Sequence, residues 1–330
     1  MRKVFTGILI SVGVATLVGI IYLNYLFSKI KFTNTFSPED VGVQNTQNSK
    51  IYGVTSEIDK RKISNSQQLM VAVFGVDKRI GYEIPRSDTI MIVALDQKNK
   101  TIKIVSVMRD ILVEIPNYGK EKLNSAYALG GPKLAITVLN KILGLSITKY
   151  VSIDFKTFEK IVDSIGGVDV EIKDYEVEQF NISTRELNRV NGGVPAETIQ
   201  EPGVYRLNGR QALAYARIRY AGNGDFERTS RQRYLLSKIF EKVKTLPIDK
   251  KMYLIEIIFE NIETNIRPSE LLSLALINIT NYKLETFRIP VSGFFEETTE
   301  FIERENTNLW VLKIDIEKNK QELVKFLKTR

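Results

Sequence analysis

The sequence, 330 residues long, contains neither cysteine nor histidine. Without thiol or imidazole, Cys–His and Ser–His–Asp nucleophiles are excluded, together with thiolate or imidazole zinc sites, histidine-ligated haem and any disulfide framework. Acid–base and metal chemistry is left to carboxylates, lysine, tyrosine and arginine, and such donors favour hard, oxygen-seeking ions such as Mg²⁺. What is present is ordinary for a folding chain: 43% hydrophobic and 26% charged residues with a net charge of +8. That is enough for one large or two small domains.

Val4 to Phe27 is a 24-residue run without a charged side chain, flanked by Arg2-Lys3 and by Lys29 and Lys31. It is long enough to cross the ~30 Å hydrocarbon core of a bilayer. The run exceeds the usual apolar region of a signal peptide and ends in Tyr25-Leu26-Phe27 rather than in small residues. Residues 1–31 are therefore expected to form a short tip, cytoplasmic if the body lies outside the membrane, and an uncleaved transmembrane signal anchor. The basic residues are balanced across the run, so charge counts alone do not orient the body. Residues 32–67, rich in Asn, Ser, Thr and Gln, are expected to be a stalk.

From residue 68 to 330 strands and helices alternate, and the expectation is a single three-layer α-β-α domain with a central mixed sheet. The patterning places strands at Leu69–Val76, Thr89–Leu95 and Thr101–Met108, a turn at 96–100 and a helix at Pro132–Leu143. A strand at Tyr150–Asp154, a helix at Phe155–Ile165 stopped by Gly166-Gly167, and a strand at Val168–Ile172 follow. Helices fit Gly209–Ala216, Glu227–Thr245 and Pro268–Ile279. The chain then returns to strand at Thr286–Val291 and Leu309–Ile314 before a final helix from Ile316.

If the first three strands run up, down and up, then Asp77, Arg86, Asp88 and Arg109 meet at one sheet edge, where ligands of such folds bind. Two carboxylates and two guanidiniums there suit a Mg²⁺-plus-phosphate site. Turn-capping Asp and exposed Arg are the bland alternative. A second signal lies between Arg206 and Arg233, where seven arginines (206, 210, 217, 219, 228, 231 and 233) occur without one lysine. Over the whole chain lysine outnumbers arginine, 29 to 18. Arginine alone favours planar, forked recognition of phosphate or carboxylate. Arg217 and Arg219 share a side if extended, with Ile218 towards the core. Arg228, Arg231 and Gln232 share a helical face. Asp225 is either that helix's N-cap or a catalytic or metal-binding carboxylate; Arg206, Arg210 and Arg233 are expected at the surface. The chain has no zinc finger, basic zipper or RNA-binding aromatic motif, so nucleic acid is not the expected partner. An anionic lipid or lipid-linked phosphate suits both arginines and anchor.

These residues resemble the LytR–CpsA–Psr family of Gram-positive cell-envelope proteins. The matching stretches are FGVDKR (74–79), RSDTIMIVAL (86–95), IVSVMRDILVEIP (104–116), KLNSAYALGGPKLA (122–135), YVSIDFKTFEKIVDSIGGVDVEI (150–172), LNGRQALAYARIRY (207–220) and GDFERTSRQRYLLSKI (224–239). The resemblance implies a phosphotransferase at the outer face of the cytoplasmic membrane. It would take a glycopolymer (wall teichoic acid, capsular polysaccharide or similar) from an undecaprenyl-pyrophosphate carrier and join it to peptidoglycan through a phosphodiester. It further implies Asp77 and Asp88 as ligands of Mg²⁺, with Mn²⁺ as a substitute. Arg86, Arg109, Arg217, Arg219, Arg228 and Gln232 would bind pyrophosphate, and the prenyl tail would fill an apolar channel. Arg86 and Arg109 with the two aspartates form the catalytic set; Arg79, Asn124, Asp225 and Arg231 would support it. Two departures stand out: Ile111-Leu112 occupies a segment where some members carry an arginine, and Met108 replaces a proline often found before Arg109. Other readings are a prenyl-pyrophosphate hydrolase and a non-catalytic, membrane-bound transcriptional attenuator.

Overall fold

The computed structural model describes residues 21–22, 24–43, 68–77 and 85–329. Most of the Val4–Phe27 run, most of the stalk and Arg79 lie outside the described residues. Among the described residues no helix is long and apolar enough to cross a membrane.

Along the chain come β1 (Lys31–Phe32), β2 (Gln68–Val76), β3 (Ser87–Asp96), β4 (Thr101–Val107), β5 (Leu112–Ile115), β6 (Gly119–Lys122) and α1 (Ser125–Leu143). Then follow β7 (Lys149–Asp154), α2 (Phe155–Ser164), β8 (Val168–Ile172), α3 (Asp174–Asn191), β9 (Gly203–Leu207), α4 (Gly209–Arg217), α5 (Gly224–Thr245) and α6 (Ile248–Asn261). The last part holds β10 (Glu263–Thr264), α7 (Pro268–Ala275), β11 (Lys283–Ile289), β12 (Phe295–Ile302), β13 (Thr307–Ile314) and α8 (Ile316–Lys328).

Seven strands form the central sheet in the order β1-β10-β7-β2-β3-β4-β11. It is mixed, because β2, β3 and β4 pair antiparallel while β7 joins β2, and β11 joins β4, in parallel. The two-residue period of β2 explains how the sheet is covered on both faces. Ala72, Phe74 and Val76 pack with Ile136, Val138 and Leu139 of α1, whereas Val71 and Val73 pack with Phe259, Ile262 and Leu271. A further cluster joins α2 (Val162), α3 (Phe180, Leu187), α4 (Leu213) and α5 (Leu235). Side-chain caps start several helices. Asp154 accepts from the Thr157 N–H at the head of α2, and Asn208 and Gln211 form a reciprocal capping box on α4. Each such cap is worth about 1 kcal/mol.

Several features differ from the sequence expectation, strands β9 and β12 among them. The stretch assigned to the end of the anchor and the start of the stalk begins inside the fold: Lys31–Phe32 pairs with Glu263–Thr264, and Leu26 and Ile30 are buried against Phe259 and Leu271. Apolar Phe36 also stacks on Tyr150, with ring centroids 5.8 Å apart. Helix α3 carries a weak apolar signal, since its buried positions are Glu176, Phe180, Thr184 and Leu187, two of them polar. Helix α6 and the hairpin β5–β6 were likewise not expected; α6 is apolar on several sides because it packs on both α2 and the sheet.

Helices α2 and α4 approach so closely that a Cβ added to Gly209 would lie 2.1 Å from the Glu159 carbonyl oxygen. Gly209→Ala is therefore expected to cost roughly 1–3 kcal/mol through forced backbone separation, read as a lower urea midpoint.

Candidate functional site

The register of β2 against β3 builds the site's first carboxylate. Gly75 lies opposite Thr89 and Val76 opposite Ser87, so Asp88 is an extra residue in a β-bulge. A bulge re-aims the side chain it carries. Gly75 is required there, because a Cβ would meet the Thr89 Cβ at 2.9 Å. With β2, β3 and β4 antiparallel, Asp77, Asp88 and Arg109 reach the same sheet edge. The Arg109 guanidinium donates to Asp88 Oδ1 and lies 3.4 Å from Asp110 and 3.7 Å from Asp225. The Asn124 N–H donates to the Arg109 carbonyl at 3.2 Å, fixing the backbone on which that side chain rides.

Opposite stand the arginines of α4, the following loop and α5. Asp225 Oδ2 pairs with Arg219 at 3.1 Å, and Oδ1 sits 2.9 Å from Arg228. Asp225 is thus not the N-cap of α5, a position held by Asn223; it lies in the first turn, buried among three guanidiniums. Lys122, brought back by the β5–β6 hairpin, holds Asp110 at 2.7 Å. Arg109, Arg219, Arg228 and Lys122 face Asp88, Asp110 and Asp225, four cations against three carboxylates.

The charges respond to this setting. Burial opposes the charge of Arg109, but Asp88, Asp110 and Asp225 outweigh it and raise its pKa. Burial likewise opposes ionisation of Asp110, yet Arg109 and Lys122 hold its pKa below the usual carboxylate value. Burial and the neighbouring Arg109 push Arg228 down to about 10. Arg228 stays charged at neutral pH and under-compensated, with its Nε buried and lacking a hydrogen-bond partner. Arg217, 3.2 Å from Glu186 and stacked over Phe155, likewise leaves Nη1 buried and without one.

Beneath this cluster is a cavity of about 350 Å³. Val73, Met91, Ile153, Phe158, Leu213 and Leu235 supply apolar wall, while Asp88, Arg109, Arg217, Arg219, Arg228 and Gln232 supply the polar end. The sequence expectation of an apolar channel between sheet and helices thus corresponds to a cavity with the expected arginines at one end. The Arg86 backbone lies at the same edge, its carbonyl accepting from the Asp77 N–H at 3.5 Å, but its side chain pairs with Glu305 and does not line the cavity. Arg231 does not line the cavity with Arg228 and Gln232. It is buried, donating to Glu176 at 2.6 Å and to the carbonyls of Ile218 and Ala221 at 3.1 and 3.0 Å. That clasp holds the loop bearing Arg219. Arg206 is exposed beside Asp169 as expected, whereas Arg210 and Arg233 are partly buried; Arg210 donates to the Gly192 carbonyl at 2.7 Å. Asp110, Lys122, Glu176 and Glu186 were not singled out from sequence: Asp110 meets Lys122 across the β5–β6 hairpin, which local patterning did not show, and Glu176 and Glu186 find Arg231 and Arg217 in distant segments.

The family model for LytR_cpsA_psr proteins matches residues 27–324. The chain belongs to this family. It is 33% identical over 270 residues to "Regulatory protein MsrR" of Staphylococcus aureus strain Mu50, covering 80% of this chain and 76% of that one. It is 34% identical over 233 residues to "Polyisoprenyl-teichoic acid--peptidoglycan teichoic acid transferase TagV" of Bacillus subtilis strain 168, covering 68% and 57%. A solved structure of the LytR–CpsA–Psr protein "YwtF (TagT) with bound octaprenyl pyrophosphate lipid" superposes with a TM-score of 0.56 at 26% identity, over 79% of this chain and 91% of that one.

Two outcomes test the geometry. Arg228 attracts an anion only while protonated, so any rise in Tm on adding inorganic pyrophosphate is expected at full size near pH 7. It should shrink as pH climbs through about 10. Arg231→Ala strands buried Glu176 and frees the loop, and a loss of about 3–5 kcal/mol is expected in chemical denaturation.

Proposed function

We propose that this chain transfers a glycopolymer from a polyprenyl-pyrophosphate carrier to peptidoglycan through a phosphodiester, releasing prenyl monophosphate. The observation that carries this reading is the joining of an apolar cavity to an arginine-rich end whose buried donors, Arg228 Nε and Arg217 Nη1, lack partners. An amphipathic pyrophosphate lipid supplies both halves: a tail for the wall and oxygens for the guanidiniums. The relatives named as teichoic acid transferases and the TagT structure holding octaprenyl pyrophosphate support that substrate class. Wall teichoic acid or a capsular polysaccharide is the proposed cargo. The uncharged run Val4–Phe27 supports a single-pass anchor in the cytoplasmic membrane of a Gram-positive bacterium, with the domain on the outer face.

In the reaction the acceptor hydroxyl attacks the sugar-side phosphorus while the bond to prenyl phosphate breaks, and the hydroxyl gives up its proton to solvent as prenyl monophosphate leaves. Arg109, Arg217, Arg219 and Arg228 bind the pyrophosphate and balance the charge that develops on its oxygens. Asp88, at the rim with about a third of its side chain exposed (31%), can be reached by the acceptor, whereas Asp225 is enclosed. Among the described residues no three acidic groups form a metal cage. The donor set nevertheless fits Mg²⁺, which needs only one or two carboxylates when phosphate and water complete its shell. Asp77 and Asp88 would hold it, and when bound the ion neutralises phosphate oxygens.

The test supplies purified protein with a lipid-linked glycan and Mg²⁺, with and without peptidoglycan. Glycan should join peptidoglycan only when both are present, and Asp88→Ala and Arg109→Ala should each lower turnover at least ~10²-fold with unchanged circular dichroism. Full activity in both variants refutes the assignment, and glycan release without acceptor points to a hydrolase instead.

A further inference from the structure

Two arginines outside the cavity share a flank of α5. Arg288, on β11, stands opposite Ser106, Ser106 opposite Met91, and Met91 opposite Val73. Residues directly opposite share a face of the sheet. Arg288 therefore continues, on the last strand of the sheet, the row that gives Val73 and Met91 to the cavity wall. Helix α5 packs on β11 and turns Arg228 and Gln232 to the cavity, but not Arg233. Arg233 lies about two turns beyond Phe226 on α5, and the Arg288 guanidinium sits over the Phe226 ring at 4.8 Å. The two arginines are within electrostatic reach of one another.

Among the described residues their hydrogen bonds go to neutral groups alone. Arg233 donates to Ser230 Oγ at 2.9 Å, and Arg288 donates to the Pro290 carbonyl at 3.2 Å and to Ser292 Oγ at 3.1 Å. Arg233 Nη1 is buried and has no partner, so water does not relieve the charge at that end. Burial and Arg288 push Arg233 down to about 10, and burial lowers Arg288 as well. Two like charges are thus held together, one of them half enclosed, with no carboxylate between them, which is costly without a counter-ion.

We infer that Arg233 and Arg288 form a second anion site, outside the cavity, that takes one phosphate group. The tetrahedral oxygens of phosphate can meet two forks arriving from different elements, whereas a carboxylate is filled by one. Ser292 adds a hydroxyl whose oxygen accepts from Arg288 and whose hydrogen is left to turn to the anion. The Phe226 ring, stacked in turn on Phe295 at 5.2 Å, holds Arg288 by its face, and a guanidinium held by its face keeps its edge for hydrogen bonds. The site adjoins the catalytic cluster along both elements that build it. Phe226 follows Asp225 in α5, and the Ile289 carbonyl next to Arg288 accepts from the Met108 N–H at 2.8 Å, one residue before Arg109. A phosphate in that place comes from the glycopolymer, as a phosphodiester of its backbone, an assignment that rests on the proposed transfer; inorganic phosphate offers the same chemistry from solution.

Full-length protein in detergent micelles, carrying isotope-labelled arginine, reads the site through the side-chain N–H signals of Arg233 and Arg288 in nuclear magnetic resonance. Inorganic phosphate is expected to move both signals along one binding curve. Arg233→Gln and Arg288→Gln should each weaken binding at least ~10-fold, read at the remaining arginine, and an unchanged Arg228 response to inorganic pyrophosphate shows that the fold is kept. A glycerol-phosphate oligomer, which carries phosphodiesters, is the second probe. Tighter binding of the oligomer than of inorganic phosphate supports the polymer as the source; the reverse order removes that source and leaves a site for free phosphate. No movement of either signal with either probe, or movement that vanishes in Arg228→Gln, overturns the site. If it falls while pyrophosphate still moves Arg228, the proposed transfer stands; if pyrophosphate fails to move Arg228, the transfer falls and the second site is judged on phosphate alone.

Discussion

The site depends on one buried carboxylate. Asp225 receives Arg219 at 3.1 Å and Arg228 at 2.9 Å, with Arg109 at 3.7 Å, and these come from a loop, a helix and a strand end. Each guanidinium alone would be expensive to bury, and three together would repel one another. A single acid at their centre lets the sheet and the helical layer close over a common charge cluster. It does not fully neutralise that cluster. The depressed pKa of Arg228 and its unpartnered Nε express the remaining demand for an anion.

The supporting ionic network divides between structure and chemistry by burial and reach. Arg231 and Glu176 are buried and satisfied by each other and by backbone carbonyls, so they fix a loop. Arg217 and Arg228, only three residues or fewer from equally basic neighbours, line the cavity and keep donors in reserve. Arginine in place of lysine throughout this stretch makes sense for both duties, since a planar fork can clasp carbonyls in a loop and phosphate oxygens in a site.

Much of this was legible in the sequence. The strand–turn–strand pattern around residues 96–100 correctly implied that Asp88 and Arg109 meet, because antiparallel neighbours return their ends to one edge. The lysine-free arginine cluster marked the opposite wall. Other features depend on long-range packing that a local pattern does not encode. Arg231 and Gln232 are adjacent in the chain, and only tertiary contact with Glu176 turns Arg231 inward. Asp225 looked like a cap because acidic residues favour helix starts, and its actual partners arrive from both directions along the chain. Lys31 read as the flank of the anchor and Phe36 as stalk because two or three residues are too few to show a period, although they complete a sheet edge and cover Tyr150.

The cavity's modest size has a kinetic corollary. At about 350 Å³ it lies near the lower end of small-molecule pockets, which span roughly 300–1,000 Å³. Under the proposed function, a long polyprenyl donor would place only the isoprene units nearest its head group in this cavity, with the rest of its tail left in lipid. A catalyst of that kind would sample its donor in two dimensions. Its rate would follow the mole fraction of carrier within the leaflet rather than the amount per volume of solution, and inert lipid would act as a diluent.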